Sequence, residues 1–491
     1  MIEVTAVNLF IINRKLFIMK TTTISLLLTL CLINYGFSQE KTKIANSTQL
    51  ESNIDTLVKQ YQDLDIFSGV VLVAEKGVPK YYKAYGLANR EEKTPNTRTT
   101  KFDIGSMNKS FTKTLILQLM EEGKLKMTDK LGDYLLGFPE TAANKITMMH
   151  LLKHRSGYGG YWGRDFNDLP IDQKRVPALV ERIKKLPLDF EPGTDTQYSN
   201  AGYVLLGAIV QAITGKTYHQ NIKERILMPL GMTETYVIDK SEVPDRAIGY
   251  FKDMKGNISS NTGFVEVPNP DGGFQSTPGD IVKFYTEYFY GANLLSKETK
   301  ANDDFFGFIN SNRKTGGAIP MAGGFPGANT AYYEILRDEI SILVFANMDE
   351  PVAEQLGAGI LAIVRGKTAK KPSLPAIQNV YNNYQKFGLK YIEDNFYKLI
   401  DNFHAEDPKG IILNDIGYDF LGNGETDEAL KFFKLNVKLF PEDANLWDSL
   451  GEGYYKKGDL EKSLQYYKKA LKMDPGMTSA KEMVAKLETK K

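Results

Sequence analysis

Serine followed three residues later by lysine occurs four times in the chain, at Ser38/Lys41, Ser106/Lys109, Ser110/Lys113 and Ser311/Lys314. Such a pair can make a nucleophile, because residues three apart share one helix face and an amine can reach a hydroxyl there. A buried lysine loses its charge more readily, and the free amine can then accept the serine proton near neutral pH. Context separates the four. Ser38 belongs to an N-terminal export-like segment, and Ser311 lies in the polar run 310–317, which reads as a turn between strands. Ser106 follows Phe102-Asp103-Ile104-Gly105 and opens a run in which Met107, Phe111, Leu115 and Leu119 recur at helical spacing. Gly105 permits a tight turn, and a helix N-terminus favours negative charge on a reacting oxygen. Ser110/Lys113 lies a turn deeper, away from any substrate. Ser106 with Lys109 is the expected reacting pair.

A phenol and an amide two residues apart, Tyr198 and Asn200, precede the helical run Ala201–Ile213. They can project into one cleft, the phenol passing protons and the amide holding a substrate carbonyl. Alternatively, Tyr198 packs and Asn200 caps the helix. Four histidines narrow the options. His150 and His154 are four apart, but no Glu follows His150 and no third ligand is near, so a His-Glu-x-x-His zinc site is disfavoured. Both read as hydrogen-bonded structural residues at a helix end, while His219 and His404 stand alone. No serine lies in a G-x-S-x-G elbow. No metal or cofactor is expected.

The elements that must position these groups can be read from periodicity. Gly69–Ala74, the turn Lys76-Gly77 and Tyr81–Ala84 predict one hairpin; Tyr332–Leu336, the turn Arg337-Asp338 and Ile340–Ala346 predict another. Helical patterns between them, notably Phe111–Met120, Ala201–Ile213 and Asp280–Tyr290, predict an α+β fold in which an antiparallel sheet carries a helical insertion. The C-terminal hundred residues repeat. Trp447, Leu450, Gly451, Tyr454, Gly458, Ser463, Tyr467, Ala470 and Pro475 match Leu413, Ile416, Gly417, Phe420, Gly424, Ala429, Phe433, Asn436 and Pro441 at a spacing of 34 residues, with Asn436 the outlier. Two repeats rarely bury enough surface alone, so segment 384–403 in front and 479–487 behind are expected to help.

With 61 Lys+Arg against 60 Asp+Glu, the charge balance gives no polyanion signal, so no nucleic-acid partner is expected. One cysteine excludes a disulfide scaffold. Arg14, Lys15 and Lys20 precede the short apolar run Ile24–Ile33, with Gly36 and Ser38 at a cleavage-like site, the pattern of a signal peptide. Met19 is an alternative start. The expected plan is 1–38 signal peptide, 39–366 catalytic domain, 367–384 linker with two prolines and three lysines, and 385–491 helical repeats. The protein is expected to be exported, periplasmic or extracellular.

The segments Phe102–Thr114, His150–Gly157, Pro192–Gly215, Gly272–Thr277 and Gly323-Gly324-Phe325-Pro326-Gly327 occur in the order that resembles serine β-lactamase-related proteins. That family includes class C β-lactamases, D-alanyl-D-alanine carboxypeptidases, D-aminopeptidases and esterases. The C-terminal period resembles the tetratricopeptide repeat. The first resemblance implies Ser106 as acylated nucleophile, Lys109 as proton acceptor, Tyr198 as proton shuttle or base, and Asn200 as substrate-orienting. It also implies an oxyanion hole from the N–H groups of Ser106 and Gly324. The third motif departs from the family's Lys or His, small or hydroxyl residue, and Gly: here it reads Met321-Ala322-Gly323. Recognition of a substrate carboxylate should be weakened, since a charge-assisted hydrogen bond contributes roughly 1.5–3 kcal/mol. Lys314-Thr315-Gly316 reads as coincidence at a hairpin tip, with Arg313 or Lys314 bending into the cleft as the alternative.

The expectation is an acyl-transfer serine hydrolase acting on a small-molecule or peptide ester or amide. The competing reading is a catalytically weakened scaffold whose repeats, 385–491, engage a protein or a second copy of the chain. In a third reading those repeats brace the catalytic domain.

Overall fold

The computed structural model describes residues 47–163, 166–264, 267–401 and 408–489. The expected signal peptide, the Ser38/Lys41 pair and His404 lie outside them. The described residues divide into two units, one of 47–251 with Ser259–Pro372, the other of 373–489 with Lys252–Ile258.

The first unit is built on a five-stranded antiparallel sheet. Strands β1 (Gly69–Glu75), β2 (Val78–Tyr85), β3 (Ala318–Phe325), β4 (Ala328–Ile335) and β5 (Ile340–Ala346) lie in the order β2-β1-β5-β4-β3. The two predicted hairpins are therefore neighbours, joined where Gly69 pairs with Ala346 and Glu75 with Ile340. Interior strand β1 is apolar without alternation because both its faces are covered. Val70, Leu72 and Ala74 join a core with Phe284 and Tyr285 of the helix Pro278–Tyr290. On the other face the helix Val352–Val364 packs on β4 and β5, and the helix Ser47–Asp63 packs on it in turn. The helical insertion lies between β2 and β3, and includes the helices Lys109–Glu121, Asn200–Thr214 and Pro278–Tyr290. The architecture is the α+β arrangement expected.

One local expectation fails. Residues 310–317 are not a turn between strands: they end a helix, Asp303–Thr315, closed by Gly316 at φ 74°. Asn302 caps its start by accepting from the Asp304 N–H, with Asp303 and Asp304 in the first turn and Arg313 and Lys314 in the last, matching the helix dipole. The polar residues are its solvent face. Arg313 donates to the Phe289 carbonyl at 3.0 Å and Lys314 is exposed, so neither bends into a cleft.

The second unit is all helical. Gly410–Gly422 pairs with Thr426–Leu439, and Ala444–Lys457 with Leu460–Met473. Gly417 and Gly451 hold equivalent places, where a methyl group would meet the Phe433 and Tyr467 rings respectively. The outlier Asn436 is buried and donates to the Gly410 carbonyl at 2.7 Å, a polar clamp where the second repeat has Ala470. The helices Ala376–Leu399 and Thr478–Glu488 add Val380, Ile392, Phe396, Ala480 and Leu487 to the repeat core. Among the described residues, no helix is long and apolar enough to cross a membrane.

Candidate active site

Ser106 sits in a 3-10 turn, Gly105–Asn108, that runs directly into the helix Lys109–Glu121. Gly105 has φ 47°, a left-handed conformation that a side chain would strain, and Asp103 accepts its N–H at 2.8 Å. The turn lies against edge strand β3. A Cβ on Gly105 would meet the Gly324 nitrogen at 2.6 Å, and one on Gly323 would meet the Ser106 nitrogen at 2.9 Å and collide with the Ile104 carbonyl. Two glycines therefore let the Ser106 backbone and β3 approach to contact.

Lys109 is the hub. Its Nζ lies 3.1 Å from Ser106 Oγ, 2.7 Å from Asn200 Oδ1 and 2.6 Å from the Asp271 carbonyl oxygen. The last two partners can only accept. An uncharged amine has two hydrogens and one lone pair. It can donate to Asn200 and Asp271 and turn its lone pair to Ser106, whereas the ammonium form donates to all three. Both protonation states are thus hydrogen-bonded in place.

Asn200 is the first residue of the helix Asn200–Thr214 and is buried, but the cap is its neighbour: Ser199 accepts from the Gly202 N–H at 2.8 Å. Freed of capping, Asn200 faces Lys109. The Asp271 carbonyl is held by its loop, since Asn108 donates to the Asn269 carbonyl at 2.8 Å and Thr112 to the Pro270 carbonyl at 2.6 Å. The buried Asp271 carboxylate accepts from the Tyr161 hydroxyl at 3.0 Å. Burial raises its pKa, while the Lys109 charge opposes the rise.

Tyr198 is half-buried, its ring 4.9 Å from Lys109 Nζ and its hydroxyl hydrogen-bonded to Ser106. Burial pushes its pKa up, the Ser106 hydrogen bond pulls it down, and the carboxylates of Asp271 and Glu350 add to the rise. At neutral pH it is a phenol, not a phenolate. His154 stacks on the Tyr198 ring with centroids 4.8 Å apart, and its Nδ1 accepts the Ser199 N–H at 3.1 Å. Burial, aided by the Lys109 charge, lowers its pKa to about 3, so the ring stays neutral. His154 was legible only as a structural histidine; that it supports Tyr198 follows from its tertiary position. His150 closes a capping box with Thr147, and His219 bonds the Pro268 carbonyl at 2.8 Å. Ser110 accepts from Tyr285, while Lys113 donates to the Phe305 carbonyl.

Ser106, Lys109, Tyr198 and Asn200 thus form one cluster beside Gly324. Comparison with known proteins gives the chain a lineage: a family model described as Beta-lactamase matches residues 54–362. The chain belongs to that family. It is a family of serine acyl-transfer and hydrolytic enzymes, and a tetratricopeptide-repeat model matches 444–477 behind it. Penicillin-binding protein 4* of Bacillus subtilis is 30% identical over 333 residues, which cover 61% of this chain and 72% of that protein. Teichoic acid D-alanine hydrolase of Staphylococcus aureus is 28% identical over 260 residues, covering 52% of this chain and 63% of the other, slightly under two thirds of its length. Among solved structures, a penicillin-binding protein from Bacillus halodurans superposes with a TM-score of 0.54 at 26% identity, covering 62% of this chain and 99% of that one. A class C β-lactamase superposes with a TM-score of 0.54 at 19% identity over 66% and 98% of the two chains, a likeness of fold.

Proposed function

We propose that the protein is an exported serine hydrolase that cleaves an ester or amide through an acyl-enzyme on Ser106. In this reading the Lys109 lone pair takes the hydroxyl proton as Ser106 Oγ adds to the substrate carbonyl. The N–H groups of Ser106 and Gly324 hold the oxyanion that forms. Tyr198, kept as a phenol, relays the proton from Lys109 to the leaving group, and the carbonyl re-forms as that bond breaks. Water then attacks the acyl-enzyme and yields its proton back through the same relay, releasing the acid and regenerating Ser106. Asn200 uses its oxygen on Lys109, which leaves its amide N–H groups for the substrate.

The observation that carries this reading is the position of Lys109 Nζ, 3.1 Å from Ser106 Oγ and hydrogen-bonded to the carbonyl oxygens of Asn200 and Asp271. A scaffold would not need that arrangement. Because Met321 replaces the cation of the third motif, an ester or amide without a carboxylate beside the scissile bond is the favoured substrate. The repeats serve as the surface for a protein partner or a second copy. The test is intact-mass analysis after a fluorophosphonate: one adduct, on Ser106, lost in Ser106→Ala. An adduct elsewhere, or none on folded protein, sinks the proposal.

A further inference from the structure

The turn that carries Ser106 is gripped by a carboxylate with no step of its own in the proposed chemistry. Asp103 is buried, and each of its oxygens has a donor. Oδ1 accepts the Gly105 N–H at 2.8 Å, and Oδ2 accepts from Gln275 Nε2 at 3.0 Å. Asp103 and Gln275 face each other in the short ladder of Phe102–Asp103 with Gln275–Ser276. Gln275 also exchanges backbone hydrogen bonds with Tyr236, at 2.8 and 3.1 Å. The carboxylate is therefore fixed in place from the side away from the turn.

What it holds is the peptide next to an oxyanion donor. The Ser106 N–H lies in the plane of the Gly105–Ser106 peptide, so its direction follows from the dihedral angles of Gly105. Glycine restrains those angles least of all residues, and Gly105 has φ 47°. The peptide before it, Ile104–Gly105, is pinned at both ends. Its N–H goes to Asp103, while its carbonyl accepts the Met107 N–H at 3.1 Å and the Thr330 hydroxyl at 3.3 Å. Without Asp103 one end of that plane is released, and the Ser106 N–H can turn with it.

A carboxylate this close to the nucleophile opposes the negative charge that develops on the substrate oxygen. Arg246 answers it. Burial lowers the guanidinium's pKa and the charge of Asp103 raises it, so the two groups lie within electrostatic reach. Both line a cavity of about 10 Å³, room for about one water. Arg246 keeps its charge at any working pH. Lys240 lines the cavity too, its amine 4.7 Å from the centre of the Phe325 ring. Lys101, two residues before Asp103, is paired with Glu234 at 2.7 Å.

Resting on the acyl-enzyme reading above, we propose that Asp103 is a positioning residue: it aims the Ser106 N–H at the developing oxyanion, and Arg246 offsets its charge there.

Substitutions in the full chain test this. The readouts are p-nitrophenyl acetate kinetics and inhibition by phenylboronic acid, whose tetrahedral adduct on the serine places an oxygen where the oxyanion forms. Asp103→Ala should lower kcat by about tenfold to a hundredfold, short of the roughly hundredfold to thousandfold typical of losing a donor outright. kcat/KM and boronate affinity should fall by the same factor, the mark of an interaction made in the transition state alone. Asp103→Asn keeps an acceptor for the Gly105 N–H, and Gln275 can turn its own oxygen to the new amide, so this variant should restore most of the loss. Arg246→Gln should slow acylation by about tenfold, the scale of one uncompensated charge nearby. Adding Asp103→Asn to Arg246→Gln should recover that rate. A merely structural aspartate gives no such recovery, since neutralising it would not mend the loss of its partner. Rates and boronate affinity unmoved by Asp103→Ala, or a double variant no faster than Arg246→Gln, overturn the inference and leave Ser106 chemistry intact. If Asp103→Ala does not melt cooperatively, the Arg246 comparison decides alone. Failure of the fluorophosphonate to label Ser106 in the unaltered chain overturns the hydrolase reading itself.

Discussion

Lys109 has one position and two protonation states, and the site is built to satisfy both. Its two carbonyl partners accept from the amine and the ammonium alike, so transferring the Ser106 proton breaks no hydrogen bond around it. Arginine keeps a charge but cannot act as a base at neutral pH. Lys109→Arg should therefore slow acylation by about a thousandfold or more, a loss typical of disabling a nucleophile–base unit, as read by burst kinetics with an activated ester. His154 makes a different prediction. Its ring is held neutral in the fold at a pKa of about 3, against an ordinary value of 6.5. Above pH 6.5 neither state binds the proton and the stability is fully present. Between 6.5 and 3 the unfolded chain binds it and the folded chain does not, so stability falls with acid by about 1.4 kcal/mol per pH unit. Urea denaturation across that range should show the slope, and His154→Phe should flatten it. The same substitution should cost about 1–3 kcal/mol at pH 7 by leaving the Ser199 N–H without its acceptor.

At the scale of elements, the site is the contact between a 3-10 turn and an edge strand. Gly323 is where that contact is tightest: a methyl group there meets the Ile104 carbonyl and the Ser106 nitrogen, both backbone atoms that cannot rotate away. Gly323→Ala should push β3 from the turn, costing about 1–3 kcal/mol as overpacking does and lowering kcat more than KM. Thermal melting and ester kinetics measure the two effects. The elements themselves were largely legible. β1 and β5 announce themselves as apolar runs between turns, and the helices around Phe111 and Ile209 follow their periodicity. The helix Asp303–Thr315 was not legible, because among its residues only Phe306 is buried and no apolar stripe marks it; the signals present were the Asn302 cap and the end charges. Ser106, Lys109, Tyr198 and Asn200 were found because local spacing and motif order mark them. Asp271 and His154 were missed in their present places for one reason. Each reaches the cluster through a loop or turn whose position depends on the whole sheet, and nothing in its local sequence records that.

Among the described residues each of the two units buries apolar residues of its own, and sequence order does not divide them cleanly. Lys252–Ile258 lies within the sequence of the sheet-containing unit yet belongs to the helical unit, where Met254 is buried among the repeat residues. Lys255 of the same segment pairs with Glu425 at 3.9 Å, an exposed pair that contributes little; the anchoring falls to Met254. A repeat array of this length is short for independent stability, so one extra buried side chain carries weight. Truncating a buried methionine to alanine costs about 2–5 kcal/mol. Met254→Ala should therefore weaken the helical unit, although the substitution lies some 120 residues before that unit's continuous sequence begins at Ser373. Hydrogen exchange resolves it: amides in Gly410–Gly422 and Thr426–Leu439 should lose protection, while those in Lys109–Glu121 keep it and Ser106 still takes up the fluorophosphonate. Unchanged protection in the repeat helices would mean that Met254 is a passenger in their core and that residues 373–489 hold themselves together.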